Sequence, residues 1–378
     1  MKNILITGGA GFIGSNLSLK LIEKGYQITI LDNLSPQIHG NNPNSTSPLY
    51  NSVKEKTNII LGSVTSKSDW IKAIENQDAI IHLAAETGTG QSMYEIQKYC
   101  DVNVMGTAIM LDILANTKHS IQKIIVASSR AIYGEGKYEC QEHSIVYPNE
   151  RNDSDMQNGD FECKCPICGS NLVLLPTTEN SKIHPSSIYG ITKQNQEQMV
   201  LTVGKALGIP AIAFRYQNVY GVGQSLSNPY TGILSIFSTL MLKNKSINIF
   251  EDGNESRDFV YIDDVVNATI AGLENDTVSN MVFNVGTGKA ETVKSIVDTL
   301  LEKYNTSSQY SISGNYRLGD IRHNFADISL AKKHLKFNPA IDIKTGLSKF
   351  TEWVKLQDTH SCDYEKSLNE MRERKLFK

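Results

Sequence analysis

The sequence predicts an α/β protein built around a doubly wound parallel sheet, and three features lead to this prediction. An apolar strand, a glycine-rich turn and an amphipathic helix follow one another near the N-terminus. Apolar segments then alternate with helical ones, an order that gives parallel sheets with right-handed crossovers. The 378 residues, 40% of them hydrophobic, suffice for roughly two domains with a sizeable core.

The first strand, turn and helix have the spacing of a dinucleotide-binding unit. In KNILITGGAGFIGSNLSLKLIEKGYQITILDN, Gly8, Gly11 and Gly14 connect the strand to the helix. The N-terminal amides and the dipole of such a helix hold a pyrophosphate. Asp32 ends the second strand, where a carboxylate accepts hydrogen bonds from a ribose and repels a 2′-phosphate. The pattern predicts a Rossmann-type site for NAD rather than NADP, and the alternative is a strand–turn–helix unit without a ligand.

Further cofactor contacts are expected where the later strands end. The predicted strands are TNIILGSV (57–64), DAIIHLAA (78–85) and KIIVASS (123–129). Helices are predicted near 66–76 and over 91–117. Cofactors bind at the carboxyl ends of strands in such sheets, which here carry Ser63, Val64, Leu83, Ala84, Ala85, Ser128 and Ser129. Asn103, within the second helical stretch, is either an exposed polar residue or a helper of the cofactor site.

The segment SSIYGITKQNQEQM (186–199) contains a candidate catalytic pair. Tyr189 and Lys193 are four residues apart, so they share one face of a helix. A lysine ammonium lowers the pKa of a nearby phenol from about 10, and a cationic nicotinamide ring lowers it further. Such a phenol becomes a usable base near neutral pH. The spacing alone is also typical of an exposed helical pair, but together with the glycine turn and Asp32 it predicts catalysis.

Seven segments resemble the extended short-chain dehydrogenase/reductase family, in its nucleotide-sugar epimerase and dehydratase group. They are TGGAGFIG (7–14), SSRAIYGE (128–135), YGITK (189–193), RYQNVYG (215–221), SRDFVYIDD (256–264), FNVGTG (283–288) and RLGDIRHNFADIS (317–329). The resemblance implies an NAD-dependent enzyme that acts at C4 of a nucleotide-diphosphate sugar. It also implies a smaller C-terminal α/β substrate domain and a homodimer that pairs helices within 91–117 and 186–207.

The resemblance also implies residue roles. Tyr189 takes the proton of the sugar 4-hydroxyl while hydride passes to NAD, Ser129 assists with Ser128 as its nearest competitor, and Lys193 also holds the nicotinamide ribose. The 4-keto sugar then rotates and is reduced on its other face. The implied NAD-binding residues are Gly8, Gly11, Phe12, Ile13, Gly14, Asp32, Asn33, Ser63, Val64, Leu83, Ala84, Ala85, Asn103, Ser128, Tyr189, Lys193 and Tyr216. The implied substrate-binding residues are Glu86, Asn218, Arg257 and Arg317.

The two arginines of that set suit a diphosphate, since a guanidinium fork binds phosphate oxygens bidentately; the alternative is a pair of surface ion pairs. Gln217 stands where the family usually has an aromatic residue.

The residues after the catalytic serine favour 4-epimerisation over elimination. Dehydratases of the group resemble STDEVYG here, and their aspartate and glutamate carry out the acid–base steps at C5 and C6. This chain has Arg130 and Ala131 instead, and an arginine with a pKa above about 12 cannot replace that pair. The alternatives are an epimerase or reductase acting on another dTDP-, UDP- or GDP-sugar, and a non-catalytic NAD-binding sensor.

A polar insert over residues 137–184 separates the catalytic serine from the tyrosine. Four of its residues have the paired spacing of a zinc ribbon: Cys140, His143, Cys165 and Cys168. Four N/S ligands leave no open position, so zinc there is structural. Cys163 is an alternative ligand, and free thiols on a loop are the other interpretation. With LDNLSPQIHG (31–40) and AAETGTGQSMYEI (84–96), the insert resembles the branch of 4-epimerases that interconverts dTDP-L-rhamnose and dTDP-6-deoxy-L-talose.

The expected organisation is an NAD-binding domain over 1–215 that contains the insert, a substrate domain over 216–355 interleaved with the last strands, and a charged tail over 356–378. The tail is expected to be a short helix or loose. A net charge of −3 argues against nucleic-acid binding. No apolar run is long enough to span a membrane, and the N-terminus lacks a signal-peptide layout. The expected location is cytoplasmic, where clustered cysteines favour metal binding over disulfides. Cys100 is expected to be buried and Cys362 incidental.

Overall fold

The computed structural model describes residues 1–226, 228, 230, 232–357 and 364–378. Its strands in chain order are β1 (Asn3–Thr7), β2 (Gln27–Asp32), β3 (Asn58–Leu61), β4 (Ala79–His82), β5 (Lys123–Ser129), β6 (Tyr138–Cys140), β7 (Ser144–Val146), β8 (Val173–Leu174), β9 (Ala211–Tyr216), β10 (Asn218–Tyr220), β11 (Ile247–Ile249), β12 (Ser256–Arg257), β13 (Phe259–Tyr261), β14 (Met281–Val285), β15 (Glu291–Thr292), β16 (Tyr310–Ile312) and β17 (His323–Asn324).

The α-helices are α1 (Phe12–Glu23), α2 (Pro36–His39), α3 (Pro43–Thr46), α4 (Pro48–Val53), α5 (Lys67–Ile74), α6 (Thr89–Ser92), α7 (Ile96–Tyr99), α8 (Gly106–Asn116), α9 (Asp153–Gln157), α10 (Ile188–Leu207), α11 (Ile233–Leu242), α12 (Ile262–Glu274), α13 (Val293–Tyr304), α14 (Ser329–Leu335), α15 (Ile343–Lys355) and α16 (Tyr364–Glu373). A π-helical turn, Cys100–Met105, joins α7 to α8, and a 3₁₀ turn, Arg130–Tyr133, follows β5. Among the described helices, none combines the length and the apolar character that a membrane span needs.

Seven strands form the predicted parallel sheet, in the order β14-β9-β5-β4-β1-β2-β3. The strands predicted at 57–64, 78–85 and 123–129 are confirmed as β3, β4 and β5. The order reverses between β1 and β4, which pair in parallel with Ile4 beside Ala79. A crevice opens at the carboxyl ends of strands where such a reversal occurs, and this is where parallel sheets bind ligands.

The central strands are buried on both faces because helices cover both sides of the sheet. Along β1, Ile4 and Ile6 pack into one apolar core, and Leu5 between them packs into a second core. This alternation follows from the two-residue period of a strand. The second core contains Trp70 of α5, whose indole N–H donates to the Val64 carbonyl at 2.7 Å. That bond fixes the loop after β3 against the sheet.

The C-terminal half returns to the central sheet through β14, which pairs in parallel with β9. The rest of that half contains small sheets, β10 with β13, β11 with β16, and β15-β12-β17. The insert forms a separate antiparallel sheet, β7-β6-β8. The domain boundaries given above stay a prediction.

The described part of the tail contains α16, which packs against the rest of the chain and does not hang loose. Cys100 is exposed, so the expectation that it is buried is wrong. It begins the π-helical turn, which leaves its side chain on the solvent side. Cys362 lies outside the described residues.

Candidate active site

A cavity of about 590 Å³ lies along the carboxyl ends of the central strands. Of the residues predicted to bind cofactor or substrate, all but Asn103 line this cavity. Its walls therefore include Gly8, Gly11, Phe12, Ile13, Gly14, Asp32, Asn33, Ser63, Val64, Leu83, Ala84, Ala85, Glu86, Ser128, Ser129, Tyr189, Lys193, Tyr216, Asn218, Arg257 and Arg317. Residues spread over more than 300 positions of the chain share one enclosure because each lies at a strand end or beside one.

The glycine turn has a shape that larger residues would not permit. Gly8 has a φ of +68°, and a Cβ there would lie 2.9 Å from the Ala84 amide nitrogen. A Cβ on Gly14 would lie 2.3 Å from the Gly8 carbonyl oxygen. A Cβ on Gly11 would meet only that same carbonyl, at 3.3 Å, a tight contact that a small shift of the backbone would have to relieve. The missing side chain at Gly11 leaves room for a ligand to approach the first turn of α1, which no side chain caps.

Asp32 is held at the end of β2 with its carboxylate facing the cavity wall. Its Oδ2 accepts from the Ala10 amide at 3.0 Å, and its Oδ1 accepts from the Leu34 amide at 2.9 Å. These bonds fix the carboxylate next to the glycine turn. A carboxylate in this position accepts hydrogen bonds from the ribose hydroxyls of NAD and repels the 2′-phosphate of NADP.

Asn103 is fully buried, so its interpretation as an exposed polar residue is wrong, and it does not line the cavity itself. Its Oδ1 accepts from the Glu86 amide at 2.8 Å, and its Nδ2 donates to the Glu86 carbonyl at 3.1 Å. The same Nδ2 is 2.9 Å from Thr192 Oγ1 on α10. The side chain therefore ties the loop after β4 to the helix that carries Tyr189. Periodicity could not reveal this because the partners are distant in sequence.

Ser129 and Tyr189 meet on one wall of the cavity. Ser129 is the last residue of β5, and Tyr189 lies in the first turn of α10, which Ser187 caps by accepting from the Gly190 amide at 3.1 Å. Burial raises the pKa of the Tyr189 phenol, and the Ser129 hydroxyl and the Arg130 charge oppose this rise. The phenol therefore needs a further positive charge nearby to act as a base at neutral pH.

Lys193 lies one turn after Tyr189 and is almost completely buried. Its Nζ donates to Gln196 Oε1 at 2.7 Å, and Gln196 Nε2 donates to Thr107 Oγ1 at 2.9 Å. Burial lowers the pKa of Lys193 to about 7, although the Glu197 carboxylate opposes the change. The ammonium is thus close to its titration point at neutral pH, so a small change in its surroundings sets its charge.

Buried polar residues that the sequence did not predict lie next to Lys193 and Gln196. His82 ends β4, and its ring nitrogens lie 2.7 Å from Thr7 Oγ1 and 3.0 Å from Thr107 Oγ1. Burial, followed by the Lys193 charge, lowers the pKa of His82 to about 3, so the imidazole is neutral at physiological pH. A histidine inside the apolar run DAIIHLAA was the only available signal. These residues orient Gln196 and, through it, Lys193.

We predict that Lys193→Met raises the free energy of unfolding at pH 6 by roughly 2–4 kcal/mol, because it removes a buried ammonium. Below pH 7 the folded state carries the full burial penalty. Between pH 7 and 10.5 Lys193 is protonated in the unfolded state but not in the folded state, so the stability of the wild-type enzyme rises with pH. The stability gained by the Met variant over the wild type therefore shrinks. Urea titrations at pH 6 and pH 10 measure this, with exposed Lys205→Met on the same helix as control. Equal gains at both pH values would contradict the burial argument.

Arg130 also lines the cavity. In the sequence it was notable only because it stands where a dehydratase has an acidic residue. Its Nε donates to Asn218 Oδ1 at 2.9 Å. Burial and the Arg257 charge lower its pKa to about 10, so it stays protonated at neutral pH. The predicted substrate contact Asn218 is therefore oriented by Arg130, and a positive charge lies on the same wall as Tyr189.

The two arginines predicted to bind the diphosphate differ in how many of their donors already make hydrogen bonds within the chain. Arg257 donates to the carbonyls of Ile321 and Arg322, at 2.6 and 2.8 Å. Arg317 Nε has no partner among the described residues. Gln217 also lines the cavity and is buried, and both of its side-chain amide atoms lack a partner in the described part of the chain. Unpaired buried donors are costly, so this part of the cavity is suited to a ligand rich in oxygen.

The four predicted metal ligands of the insert come together, with their ligand atoms all within 4.8 Å of one another. Cys140 Sγ is 3.7 Å from Cys168 Sγ and 3.5 Å from His143 Nδ1, and Cys165 Sγ is 3.7 Å from that same nitrogen. A tetrahedron with Zn–S bonds of about 2.3 Å has edges of about 3.8 Å, so the set fits zinc.

Cys163 is not part of this set. It is buried against Tyr138 and Glu135, where burial and the Glu135 charge raise the pKa of its thiol. The cluster of possible ligand atoms therefore leaves Cys163 out, and the ligand set stays a prediction.

Two ion-pair clusters anchor the insert to the substrate side of the cavity. Buried Arg151 binds Glu251 through two bonds of 2.8 and 2.9 Å and donates to the Asp320 carbonyl at 2.9 Å. Arg322 binds Glu162 of the insert at 2.6 Å and Glu251 at 2.9 Å. Asp320 and Glu251 both line the cavity. The insert thus braces the loop that carries the substrate-side residues.

A sequence profile of the NAD dependent epimerase/dehydratase family matches residues 4–152 and 167–286. A dTDP-L-rhamnose 4-epimerase of Burkholderia thailandensis is 35% identical over 93% of this chain and 95% of its own length. The crystal structure of a Thermotoga maritima UDP-glucose 4-epimerase with UDP-glucose aligns with a TM-score of 0.74, at 29% identity, over 93% of this chain and 98% of that one. A Bacillus cereus UDP-glucuronic acid 4-epimerase, solved with UDP-glucuronic acid and NAD, has a TM-score of 0.74 at 25% identity, over 93% and 99%.

The chain belongs to the NAD-dependent epimerase/dehydratase family, an extended branch of the short-chain dehydrogenases/reductases. The three relatives named above are nucleotide-sugar 4-epimerases, and the chain is an enzyme of the same isomerase class. NAD is the cofactor of this family, and the residues present fit it: α1 begins uncapped at the cavity, Gly11 leaves space in front of it, and Asp32 stands beside the turn.

Proposed function

We propose that this enzyme interconverts dTDP-L-rhamnose and dTDP-6-deoxy-L-talose by epimerisation at C4. The observation that carries a 4-epimerase is that Ser129, Tyr189 and Lys193 line the cavity of the glycine turn, while Arg130 and Ala131 stand where a dehydratase has its acid–base pair. The 35% identity to a dTDP-L-rhamnose 4-epimerase supports the sugar and the nucleotide.

In this proposal the chain moves one proton and holds the sugar while C4 changes configuration. NAD, when bound, would supply reversible hydride transfer at C4. Tyr189 takes the proton of the 4-hydroxyl, and Ser129 donates a hydrogen bond to the same oxygen. The 4-keto sugar turns over within the cavity, and Tyr189 returns the proton to the oxygen on the opposite face. Atoms and electrons balance, and no acid–base group at C5 is needed.

Positive charge near the phenol makes the proton transfer feasible at neutral pH. Arg130 already opposes the rise in the pKa of Tyr189, and Lys193 adds to this whenever it is protonated. On the substrate side, Asn218, Arg317 and, with fewer donors to spare, Arg257 would bind the diphosphate. Glu86, on the loop held by Asn103, would face the sugar.

A UDP-linked sugar is the second candidate. The structures with UDP-glucose and UDP-glucuronic acid share 93% of this chain at similar TM-scores, and this favours it. The positive charge of Arg130 would pair with the carboxylate of a sugar acid. UDP-glucuronic acid therefore belongs among the substrates to be compared.

We also propose that the insert binds one structural zinc ion through Cys140, His143, Cys165 and Cys168. Their ligand atoms lie within 4.8 Å of one another, which supports this proposal, and a closed set of four leaves no position for substrate. Clustered thiols of this kind are kept available in a reducing compartment, which supports a cytoplasmic location.

A homodimer through the helices within 91–117 and 186–207 is a further proposal. Ile96, Met105 and Ile191 on these helices are 48%, 55% and 42% exposed, and a second copy would cover them. The division into an NAD-binding domain and a substrate domain at residues 215 and 216 is retained as a proposal.

A substrate panel in deuterated water tests the proposed reaction. The enzyme with NAD is incubated with dTDP-L-rhamnose, UDP-glucose, UDP-glucuronic acid and GDP-mannose, and the products are identified by NMR. We expect dTDP-6-deoxy-L-talose without deuterium at C3, C4 or C5, because the hydride that leaves C4 is returned without exchange and no proton is removed from C3 or C5. Deuterium at C5 would overturn 4-epimerisation. Turnover of a UDP-sugar alone would replace the substrate, and no turnover with NAD bound would favour the sensor.

A further inference from the structure

The C-terminal segment, residues 364–378, lies against the rim of the cavity. Tyr364 lines the cavity itself. Three apolar side chains of the segment are buried: Leu368, Met371 and Phe377. They form a cluster with Tyr94 from the loop after β4 and with Phe250 from the substrate side. The segment therefore contacts both sides of the enzyme where the cavity opens.

The last residues pair with the stretch that carries Arg317. The Tyr316 amide donates to the Lys378 carbonyl at 2.9 Å, and the Lys378 amide donates to the Tyr316 carbonyl at 3.0 Å. The Leu318 amide donates to the Leu376 carbonyl at 3.0 Å. Both backbone neighbours of Arg317 are thus fixed by the end of the chain.

The side chain of Arg317 depends on the same segment. Its guanidinium lies over the Phe250 ring, 4.9 Å from the centroid, and that ring packs against Phe377 at a centroid distance of 4.9 Å. Arg317 Nε has no partner among the described residues. Phe377 therefore supports, through Phe250, a cation that lines the cavity and keeps one guanidinium donor unpaired among the described residues.

Glu370 joins the two sides of the cavity mouth through one oxygen atom. Its Oε2 accepts from Tyr94 OH and from Tyr230 OH, both at 2.9 Å. Tyr230 lines the cavity. Burial, followed by the bond to Glu370, raises the pKa of Tyr230 to about 12, so this phenol stays a donor at neutral pH. A carboxylate shared by two half-buried phenols makes charge-assisted bonds, which are stronger than neutral ones.

We propose that Glu370 is a positioning residue for the substrate, and that residues 364–378 form part of the nucleotide-sugar site by holding Arg317 and Tyr230 in place. The inference rests on the proposed function in one respect, that a nucleoside diphosphate group binds beside Arg317. Glu370 acts through the two tyrosines, so its loss weakens binding of the nucleotide and leaves the NAD side unchanged.

Calorimetric binding of dTDP and of UDP to the full-length enzyme saturated with NAD tests this. Glu370→Leu removes the shared acceptor, and we expect it to raise the Kd of the better nucleotide about tenfold while the Kd of NAD stays within twofold. Glu370→Gln keeps an uncharged acceptor of the same shape and is expected to recover most of the affinity. The matched control is Glu373→Leu on the same helix, whose side chain is 77% exposed.

Tyr94→Phe and Tyr230→Phe, each removing one donor, keep the test valid if Glu370→Leu does not fold. Each is expected to weaken nucleotide binding a fewfold. Unchanged nucleotide binding in the folded variants would overturn the inference, and so would an equal loss of nucleotide and NAD binding, which is the mark of a merely structural role. If the wild-type enzyme binds neither nucleotide, the proposed ligand class is wrong, and the inference falls with it.

Discussion

Tyr189→Phe is expected to reduce sugar interconversion by at least about 10³-fold while NAD binding persists. The substitution removes the phenol that we propose as the base for the 4-hydroxyl proton, and positioned acid–base groups contribute up to about 10⁴-fold. The ring keeps its place because the backbone amide of residue 189 donates to Ser92 Oγ at 3.0 Å and the Tyr99 ring packs edge-on at 6.4 Å. Initial rates with dTDP-L-rhamnose and calorimetric NAD binding measure the two effects.

Tyr26→Phe provides the matched control for that variant. It deletes the same atom from a tyrosine outside the cavity, whose hydroxyl donates to Glu274 at 3.2 Å. The control should retain full activity. A Tyr189→Phe enzyme with more than a tenth of wild-type activity would rule out the phenol as the base, and lost NAD binding would mean that the variant reports on cofactor and not on chemistry.

Removing the metal from the insert is expected to weaken sugar-nucleotide binding with little change in NAD binding. Elemental analysis of the purified enzyme should give one zinc per chain, and Cys140→Ser should lose it because a four-ligand site cannot close with three. The insert holds Arg151 against Glu251 and the Asp320 carbonyl, beside the substrate. Once it loosens, we expect the KM to rise about tenfold, equivalent to one or two lost hydrogen bonds.

Cys163→Ser separates a metal effect from a thiol effect. Cys163 lies in the same insert, two residues before a ligand, but it faces Tyr138 and Glu135. This variant should keep one zinc and a wild-type KM. Wild-type enzyme without metal and with reactive thiols at all four positions would overturn the zinc proposal, and a metal-free variant with an unchanged KM would overturn the bracing role of the insert.

Most residues of the cofactor site were predictable from short-range spacing in the sequence. The glycine turn, Asp32 and the serines at the end of β5 were predictable because strand ends in a parallel sheet meet at one edge, whatever the loops between them do. The pair Tyr189 and Lys193 was predictable because four residues separate neighbours on a helix. The ligands of the proposed zinc site were readable in the same way, as two pairs of fixed spacing.

Contacts between distant segments decided the rest. Arg130 was visible in the sequence only as the absence of an acid, and the fold makes it a wall of the cavity that orients Asn218. Asn103 reaches the site indirectly, through Glu86. The tail, with a charged composition that predicted a loose end or a short helix, has an apolar face that is buried only when Tyr94 and Phe250 are beside it.

The sequence by itself therefore determined the fold class and predicted the cofactor turn and the proposed catalytic pair, since each depends on residues within one strand–turn–helix unit or one helix. Only the tertiary structure decided that Cys163 lies outside the cluster of proposed zinc ligands, that Arg257 uses donors on backbone carbonyls, and that Glu370 bonds to both Tyr94 and Tyr230. Hydrogen bonding of a side chain depends on which groups the folded chain brings within about 3 Å, and residues up to 276 positions apart leave no periodic trace of meeting.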